Sequence, residues 1–541
     1  MTQRAFVFLF GVMLVAGCSK TANGPGDVCD PDIETPCPDD LICAVDDAGE
    51  HICMIPVHGA CDPNAEESFC AENGVCEDQG DGAGACMAGR GGACDPASDD
   101  CAQGLECAEL VSGGNACWEP VQLVGRVFDL VSDVGIEGAH VIALDELGSA
   151  VTDVAVSATD GAYSLDIPVV RQDSGAPAQV WFTLRSSAQS YETFPSGLRT
   201  ALPIDASSAQ LGDNAFVIQT ALTDIGLIAL PPALQGLPSI SGQVLAGDQS
   251  SGVLVVAESA GPGITAISDM SGSYTIFNVP DGPYQVRGYA ADLQLVPVDV
   301  NMAGADLVDV NLEVSSEALT TITGSVQIVN APGGSVTSVV LVVASTFDNT
   351  FVRGEIPRGL RAPKSGPPDV STGGFTIEGV PDGDYYVLAA FENDDLVRDP
   401  DDAIAGTDIV FVSVDSTNLG TTIDIQQSFK ITEALAVFYP GADTIEEVID
   451  VPIFSWADDA SEAFYTFTLY NALGELVWED PLIDSVSGSP TVDYPYPGTA
   501  PALVNGMYYQ FKAISWRTQG QNTSAASATE DLRGVFVYTG P

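Results

Sequence analysis

From about residue 120 onward, apolar and polar positions alternate with a period of two over short runs, and clusters of Gly, Asp, Pro and Ser interrupt them. Such alternation places one face of a strand inward, and the interruptions read as turns. Three sets of runs recur. The first contains a glycine: "LVGRV" at 123–127, "ISGQV" at 240–244 and "ITGSV" at 322–326. The second is nearly all apolar: "AHVIAL" at 139–144, "GVLVVAES" at 252–259 and "VVLVVAS" at 339–345. The third follows a turn and carries an aromatic: "TDGAYSL" at 159–165, "MSGSYTI" at 270–276 and "TGGFTI" at 372–377. In the last two copies "VPDG" and a Tyr-led run come next. Repeats of this kind predict an all-β chain of tandem β-sandwiches.

The turn chemistry is local. Gly161, Gly272 and Gly373 allow positive φ ahead of a strand, and Asp160 and Asp269 can accept hydrogen bonds within their own turns. Tyr163, Tyr274 and Phe375 then alternate with Leu165, Ile276 and Ile377, so one face points inward. Pro280 and Pro381 preset φ, and Gly282 and Gly383 complete a turn into strands led by Tyr284 and Tyr385. The recurring stretch is therefore expected to be a hairpin cassette of a duplicated domain. Strands of about ten residues span about 33 Å, so four sandwiches set end to end would project on the order of 100 Å.

This combination resembles carboxypeptidase regulatory-like domains, also called transthyretin-like or prealbumin-like, over 121–230, 238–315 and 320–431. The resemblance implies seven-stranded, non-catalytic modules used for scaffolding, folding support or binding, related to carbohydrate-binding-like folds. The first copy lacks the VPDG turn, and the third carries an insertion, "RGEIPRGLRAPKSGPPD", at 353–369. Related cell-wall adhesin modules form Lys–Asn isopeptide bonds. With only four lysines here, and none in the first two copies, that chemistry is not expected. The segment 433–541, with "VPIFSWADD", "FYTFTLYNALGELVWE" and "NGMYYQFKAISW", resembles a fibronectin type III-like domain with Trp456 on an early strand and Tyr508 and Tyr509 on a late one. Tyr494 and Tyr496 in "DYPYPG" are either aromatics able to stack on sugar rings or turn aromatics lying on their own domain.

The other end of the chain differs. Arg4 precedes an apolar run, Ala5 to Ala16, which is too short to span a bilayer and has signal-peptide proportions. Leu14-Val15-Ala16-Gly17-Cys18 resembles a bacterial lipobox, which implies a signal at 1–17, diacylglyceryl transfer to the Cys18 thiol, and a lipidated linker at 18–28. Ser19 stands where inner-membrane retention would place an Asp, so an outer-membrane address is expected, with the chain on its surface or its periplasmic face. Twelve further cysteines lie in three fours within 29–119: Cys29, Cys37, Cys43 and Cys53; Cys61, Cys70, Cys76 and Cys86; Cys94, Cys101, Cys107 and Cys117. Each four opens with Cys-Asp-Pro, with five residues between its second and third cysteines and nine between its third and fourth. Units of about 25 residues bury too little core to fold unaided, and in an exported chain disulfides supply the difference. Zinc sites favour Cys-x-x-Cys pairs, which are absent here. Three pairings are open within each four.

Charge then excludes partners. The 75 acidic and 17 basic residues give −58 at pH 7, so nucleic acid would be repelled over the whole surface. Charged residues are only 17% of the chain against 45% apolar, so this is a core-forming chain with an acidic skin rather than a disordered tail. No catalytic motif stands out. His51, His58 and His140 form no zinc-peptidase arrangement, and no G-x-S-x-G elbow occurs. Among so many acids, no pair of carboxylates is informative. One acidic loop, with Asp394, Asp395, Asp399, Asp401, Asp402 and Asp408, is either a calcium site or plain solvated surface, so structural calcium is the one cofactor candidate. The expectation is a non-enzymatic, lipid-anchored cell-envelope protein: a binding, adhesion or spacer scaffold with an unknown protein or polysaccharide ligand. The alternatives are a carbohydrate-binding surface protein, or an accessory or degenerate enzyme acting on glycans or peptides.

The lipobox resemblance makes a direct prediction. Cys18→Ser blocks incorporation of a metabolic fatty-acid probe and leaves unprocessed precursor or released protein; equal labelling of mutant and wild type refutes the anchor.

Overall fold

The twelve cysteines between Cys29 and Cys117 form six disulfides in the computed structural model. The model describes residues 24–541, except 33–35, 39, 47, 66–68, 81–82, 99, 198, 330–336, 350–352, 366–368, 372, 391–409, 433, 460–461, 487, 521 and 530–532. The described chain is all-β, its helical content being four three-residue 3-10 turns. No described helix is long and apolar enough to cross a membrane. The chain divides into two units, residues 1–120 with Val170–Ala176, and residues 121–169 with 177–541.

In the first unit each cysteine four is built on a hairpin: Ile42–Val45 with His51–Met54, Val75–Asp78 with Gly84–Met87, and Glu106–Glu109 with Asn115–Trp118. The hairpin register sets the third and fourth cysteines opposite each other, as Cys43 and Cys53, Cys76 and Cys86, Cys107 and Cys117. The bonds nevertheless run first to third and second to fourth in every unit. The backbone ladder already joins the two hairpin strands. These disulfides instead staple the preceding loop to both strands, across separations of 13 to 16 residues. Loops of that length gain on the order of 3 kcal/mol per bond. The segment Val170–Ala176, assigned by sequence to the first sandwich, belongs to this unit. Its Arg171 is fully buried and donates from Nη2 to Glu106 Oε1 at 2.9 Å and to the Glu119 carbonyl at 2.7 Å.

The second unit holds four sandwiches. In the second sandwich, Ile240–Leu245 lies between Ser273–Ile276 and Leu312–Glu313 in one sheet, and Ile264–Ile267, Leu254–Glu258, Gly282–Tyr289 and Val298–Met302 form the other in that order. The third repeats this with Thr320–Val329 between Gly373–Val380 and Thr422–Thr432, facing Arg361–Ala362, Ser338–Val343, Gly383–Ala390 and Val410–Val414. Both therefore have seven strands. The first sandwich has nine, because its last strand is split into Phe216–Ile218 and Ile225–Leu227, both parallel to Val121–Asp129, and Gln210–Leu211 adds a strand against the former. The glycine in each first strand has a steric reason. A Cβ on Gly125 would lie 2.0 Å from the Thr223 carbonyl oxygen, on Gly242 1.9 Å from that of Val310, and on Gly324 2.6 Å from the Phe375 ring. The first two carbonyls accept the hydroxyls of the recurring tyrosines, Tyr163 at 2.6 Å and Tyr274.

Two expectations are corrected here. The VPDG turn does not close a hairpin. Ser273–Ile276 pairs with Ile240–Leu245, whereas Gly282–Tyr289 pairs with Leu254–Glu258 and Val298–Met302. The turn is an arch from one sheet to the other, and the same holds across Pro381. Val279 and Val380 are fully buried at these arches. An arch lets Tyr274 and Tyr284 enter one core from opposite sheets, which the alternation pattern alone does not distinguish from a hairpin. Nor are the four sandwiches strung end to end. Side chains of the first bond directly to the second, the third and the last.

The last domain places Val437–Tyr439, Ile453–Ala457 and Thr491–Pro495 against a six-stranded sheet. Phe454, Trp456, Phe467, Phe511 and Phe536 are all at 0% exposure, with ring centroids 4.8 to 6.2 Å apart. Tyr494 and Tyr496 lie in this core, 9% and 8% exposed, so neither offers a face to a sugar. The Tyr494 hydroxyl donates to Asp480 at 3.0 Å and Tyr496 donates to the Pro501 carbonyl at 2.7 Å. Burial pushes both hydroxyls up to about 12.

Peptide mapping without reductant is expected to recover first–third and second–fourth linkages in every cysteine unit, with no alkylatable thiol. A third–fourth linkage, or zinc found by elemental analysis, contradicts this pairing.

Candidate functional site: a cavity among four sandwiches

The first sandwich turns its strand Trp181–Ser187 and the loop 192–203 toward the other three domains. Between them lies a cavity of about 910 Å³. The second sandwich contributes Thr265 and Ile267, the third Thr346, Asp348 and the start of its insertion, and the last domain Asp443 to Ile445 with Arg533 and Val535. Five of the chain's thirteen arginines line this space: Arg185, Arg199, Arg353, Arg361 and Arg533. Six carboxylates line it too, so the wall is close to neutral in a chain that carries −58.

The walls are fixed by charge-assisted bonds. Arg185 sits on the first sandwich with an 8% exposed side chain, and its two Nη atoms donate to the Glu355 carboxylate at 3.1 and 2.8 Å. This is the bidentate geometry that guanidinium and carboxylate favour. Arg185 Nη2 also donates to Thr265 Oγ1 at 2.8 Å, so three sandwiches meet at one guanidinium. Burial alone would raise the Glu355 carboxyl. The charge and hydrogen bonds of Arg185, with help from Thr265 and Arg353, hold it below its ordinary value of 4.5.

Arg199 makes a second lock. Its Nε and Nη2 donate to the Leu473 carbonyl of the last domain at 3.2 and 2.9 Å, and its guanidinium lies 4.9 Å from the centre of the Phe194 ring. Burial lowers its pKa, while the charges of Glu192 and Glu475 oppose that shift. An apolar contact of Leu202 with Ala472 and Val535 seals the same junction. Between the second and third sandwiches, Arg287 pairs with Asp382 at 2.8 Å and with Glu258 at 3.6 Å. Glu258 also accepts from Tyr289 at 2.9 Å and from Ser345 at 2.7 Å. Tyr289 joins the core of the third sandwich edge-on to Tyr385.

The insertion at 353–369 thus has a place. Arg353, Glu355 and Arg361 come from it, and Arg358 donates to the Gln249 carbonyl of the second sandwich at 3.1 Å. Its signal was available: 353–364 holds four of the seventeen basic residues of the chain within twelve positions. The rest of the cavity had no such signal.

The residues singled out by sequence lie elsewhere. Cys18 and the acidic loop from Asp394 to Asp408 fall outside the described residues. His58 meets Asp100 at 2.8 Å in the cysteine-rich unit. His140 stacks edge-on to Phe277 at 4.9 Å, and burial lowers its pKa against an opposing pull from Asp269.

No protein-family model matches the chain, and the search of curated proteins finds no match. Among solved structures, 75% of the chain aligns with 68% of the Bacillus anthracis TIE protein at 11% identity and a TM-score of 0.14. It aligns over 58% of its length with 99% of BcpA, the major pilin subunit of Bacillus cereus, at 10% identity and a TM-score of 0.15. It aligns over 76% with the whole of a tetra-tandem repeat from the extending region of a large adhesion protein, at 16% identity and a TM-score of 0.13. Superposition at this level assigns neither ligand nor activity.

The Arg185–Glu355 pair makes a signed prediction. Glu355→Gln lowers unfolding stability at pH 7 by about 2 kcal/mol, the scale of hydrogen bonds to charged groups. The Glu355 side chain is 30% exposed, so solvent screening keeps the loss to that scale rather than to that of a fully buried pair. Because the folded pKa is depressed, the contribution is present above the ordinary value of 4.5 and is lost as pH falls through the lower folded value. Urea midpoints of the two proteins are expected to differ at pH 7 and to converge toward pH 3; a gap that persists unchanged in acid contradicts the assignment.

Proposed function

We propose that this protein is a non-enzymatic binding or adhesion scaffold of the bacterial cell envelope, with the four-sandwich cavity as its recognition site. The observation that carries this reading is the cavity itself, walled by rigid strands and fixed by Arg185, Glu355 and Arg199. Binding surfaces are commonly built from loops on rigid β scaffolds. A cavity of this size suits a small ligand or the end of a polymer. The glycine–tyrosine arrangement shared by the first two sandwiches supports kinship with carboxypeptidase regulatory-like modules. The Leu14–Cys18 stretch supports a lipid foot in the outer membrane, and six disulfides in the first unit fit an oxidising compartment. The enzyme alternative needs a base poised near neutrality, a metal or an activated nucleophile. His58 and His140 have other contacts, with Asp100 and Phe277.

The processed full-length protein is expected to bind intact cells or envelope polysaccharide saturably. Filling the cavity with Thr200→Trp abolishes that binding while leaving the melting temperature within a few degrees. Reproducible turnover of a peptide, ester or glycoside that disappears when a single carboxylate is changed to its amide overturns the reading.

A further inference from the structure

Resting on the reading that the cavity is the binding site, we infer that its ligand is a short, electrically neutral saccharide. The floor of the cavity is the outer face of the strand Trp181–Ser187. Phe182 and Leu184 turn into the core of the first sandwich, so Trp181, Thr183 and Arg185 share the opposite face. Of the chain's five tryptophans, Trp118 and Trp456 are buried, while Trp478 and Trp516 give their indole N–H to Tyr494 and Thr466. Trp181 is half-buried and does neither: among the described residues its ring meets no other aromatic ring and its N–H has no hydrogen-bond partner. A flat apolar ring with a polar edge suits the C–H face of a pyranose and one of its hydroxyls. Thr183, Thr193 and Thr200 are also half-buried in this lining, and their hydroxyls have no partner among the described residues. A hydroxyl both donates and accepts, as a sugar hydroxyl does. The loop that carries Thr193 and Thr200 is held to the strand by paired backbone bonds between Ser186 and Phe194, both 2.8 Å, so these groups are fixed before a ligand arrives.

The charges of the lining hold the wall together. Arg185 has both Nη atoms on Glu355, and Arg199 donates to the carbonyls of Leu473 and Gly226. Arg353, Arg361 and Arg533 are engaged by protein groups as well, the first and last by the carbonyls of Gly197 and Asp443 among others. An anion entering a chain of −58 would find all five guanidinium groups taken. A cation would gain from the exposed acids Glu146 and Glu192 but would face the same five guanidinium groups. A neutral ligand meets neither penalty, and those two acids can accept its hydroxyls. A peptide would bring backbone N–H and C=O groups that call for a free strand edge. Trp181–Ser187 is paired on one side with His140–Leu144 and on the other with Ile204–Asp205 and Phe194.

Calorimetric titration of the processed full-length protein tests this with three neutral trisaccharides of different linkage, maltotriose, cellotriose and triacetylchitotriose, beside trigalacturonate and hexaproline. At least one neutral trisaccharide is expected to bind saturably, with an affinity that stays within about twofold as salt rises well above the physiological level. Trigalacturonate and hexaproline bind at least tenfold more weakly. For the sugar that binds, Trp181→Ala costs at least tenfold, and Trp181→Phe retains more affinity than Trp181→Ala. Thr183→Val, which keeps the shape and removes the hydroxyl, weakens binding severalfold, and melting curves confirm that each variant is folded. Tighter binding of trigalacturonate or hexaproline than of every neutral sugar, or full affinity in a folded Trp181→Ala, overturns the inference. If Thr200→Trp abolishes cell binding while none of the neutral trisaccharides binds wild type, the ligand class is wrong and the scaffold reading stands. If Thr200→Trp leaves cell binding intact, the scaffold reading of the cavity fails, and the inference with it.

Discussion

One ion pair, Arg185 with Glu355, organises the second unit. It joins residues 170 positions apart and, through Thr265, brings three sandwiches to a single guanidinium. A pair of this kind is weak evidence for stability, because desolvating both charges offsets much of their attraction. Its value lies in geometry: five donors in a fixed plane accept few arrangements of partners. Apolar contacts between domains tolerate sliding, whereas a bidentate pair does not. The remaining junctions follow the same logic, with Arg199 on Leu473 and Arg287 between Glu258 and Asp382.

This use of arginine answers a constraint set by composition. With −58 spread over the surface, bringing domains together concentrates like charge. The chain has few cations to counter it and places several of them where domains meet. Five arginines line the cavity, Arg287 and Arg358 bridge the second and third sandwiches, and Arg171 is buried in the cysteine-rich unit. Arginine suits these sites better than lysine, since it stays charged when buried and binds several acceptors at once.

Much of the fold was legible because its causes are local. Period-two alternation marks Ala162–Ile167 and Ser273–Ile276, and aspartates 160 and 269 accept the turn amides that their positions suggest. The cysteine spacing marks three units but not their pairing, which depends on where the loop lies relative to the hairpin. The arch at Pro280 was misread because strand partners are set by the opposite sheet, and nothing in "VPDG" encodes which sheet the next strand joins. The cavity was illegible for a stronger reason. It is built from residues between Leu144 and Val535, and Arg199 meets a carbonyl 274 positions away. Only the cluster of basic residues in the insertion hinted at it.

That insertion also shows why the third copy differs from the second. The second sandwich fills its core with Ile240, Tyr274 and Val286, and the third with Ile322, Phe375 and Val387, joined by Leu254, Val256 and Tyr289 of the second. From the insertion, Leu360 and Ala362 join the core of the third sandwich, while Arg353 and Glu355 stay outside it. Residues 353–361 run beside Ser338–Val343, where the Leu341 amide bonds to the Leu360 carbonyl at 3.0 Å and the Val343 amide to the Glu355 carbonyl at 3.1 Å. The Val342 side chain packs under Gly354. Held along one edge by these backbone bonds, the insertion presents Arg353 and Glu355 to the first sandwich rather than to solvent. Duplication supplied interchangeable β frames, and the segment that departs from the repeat is the one that turns neighbouring frames into a cavity.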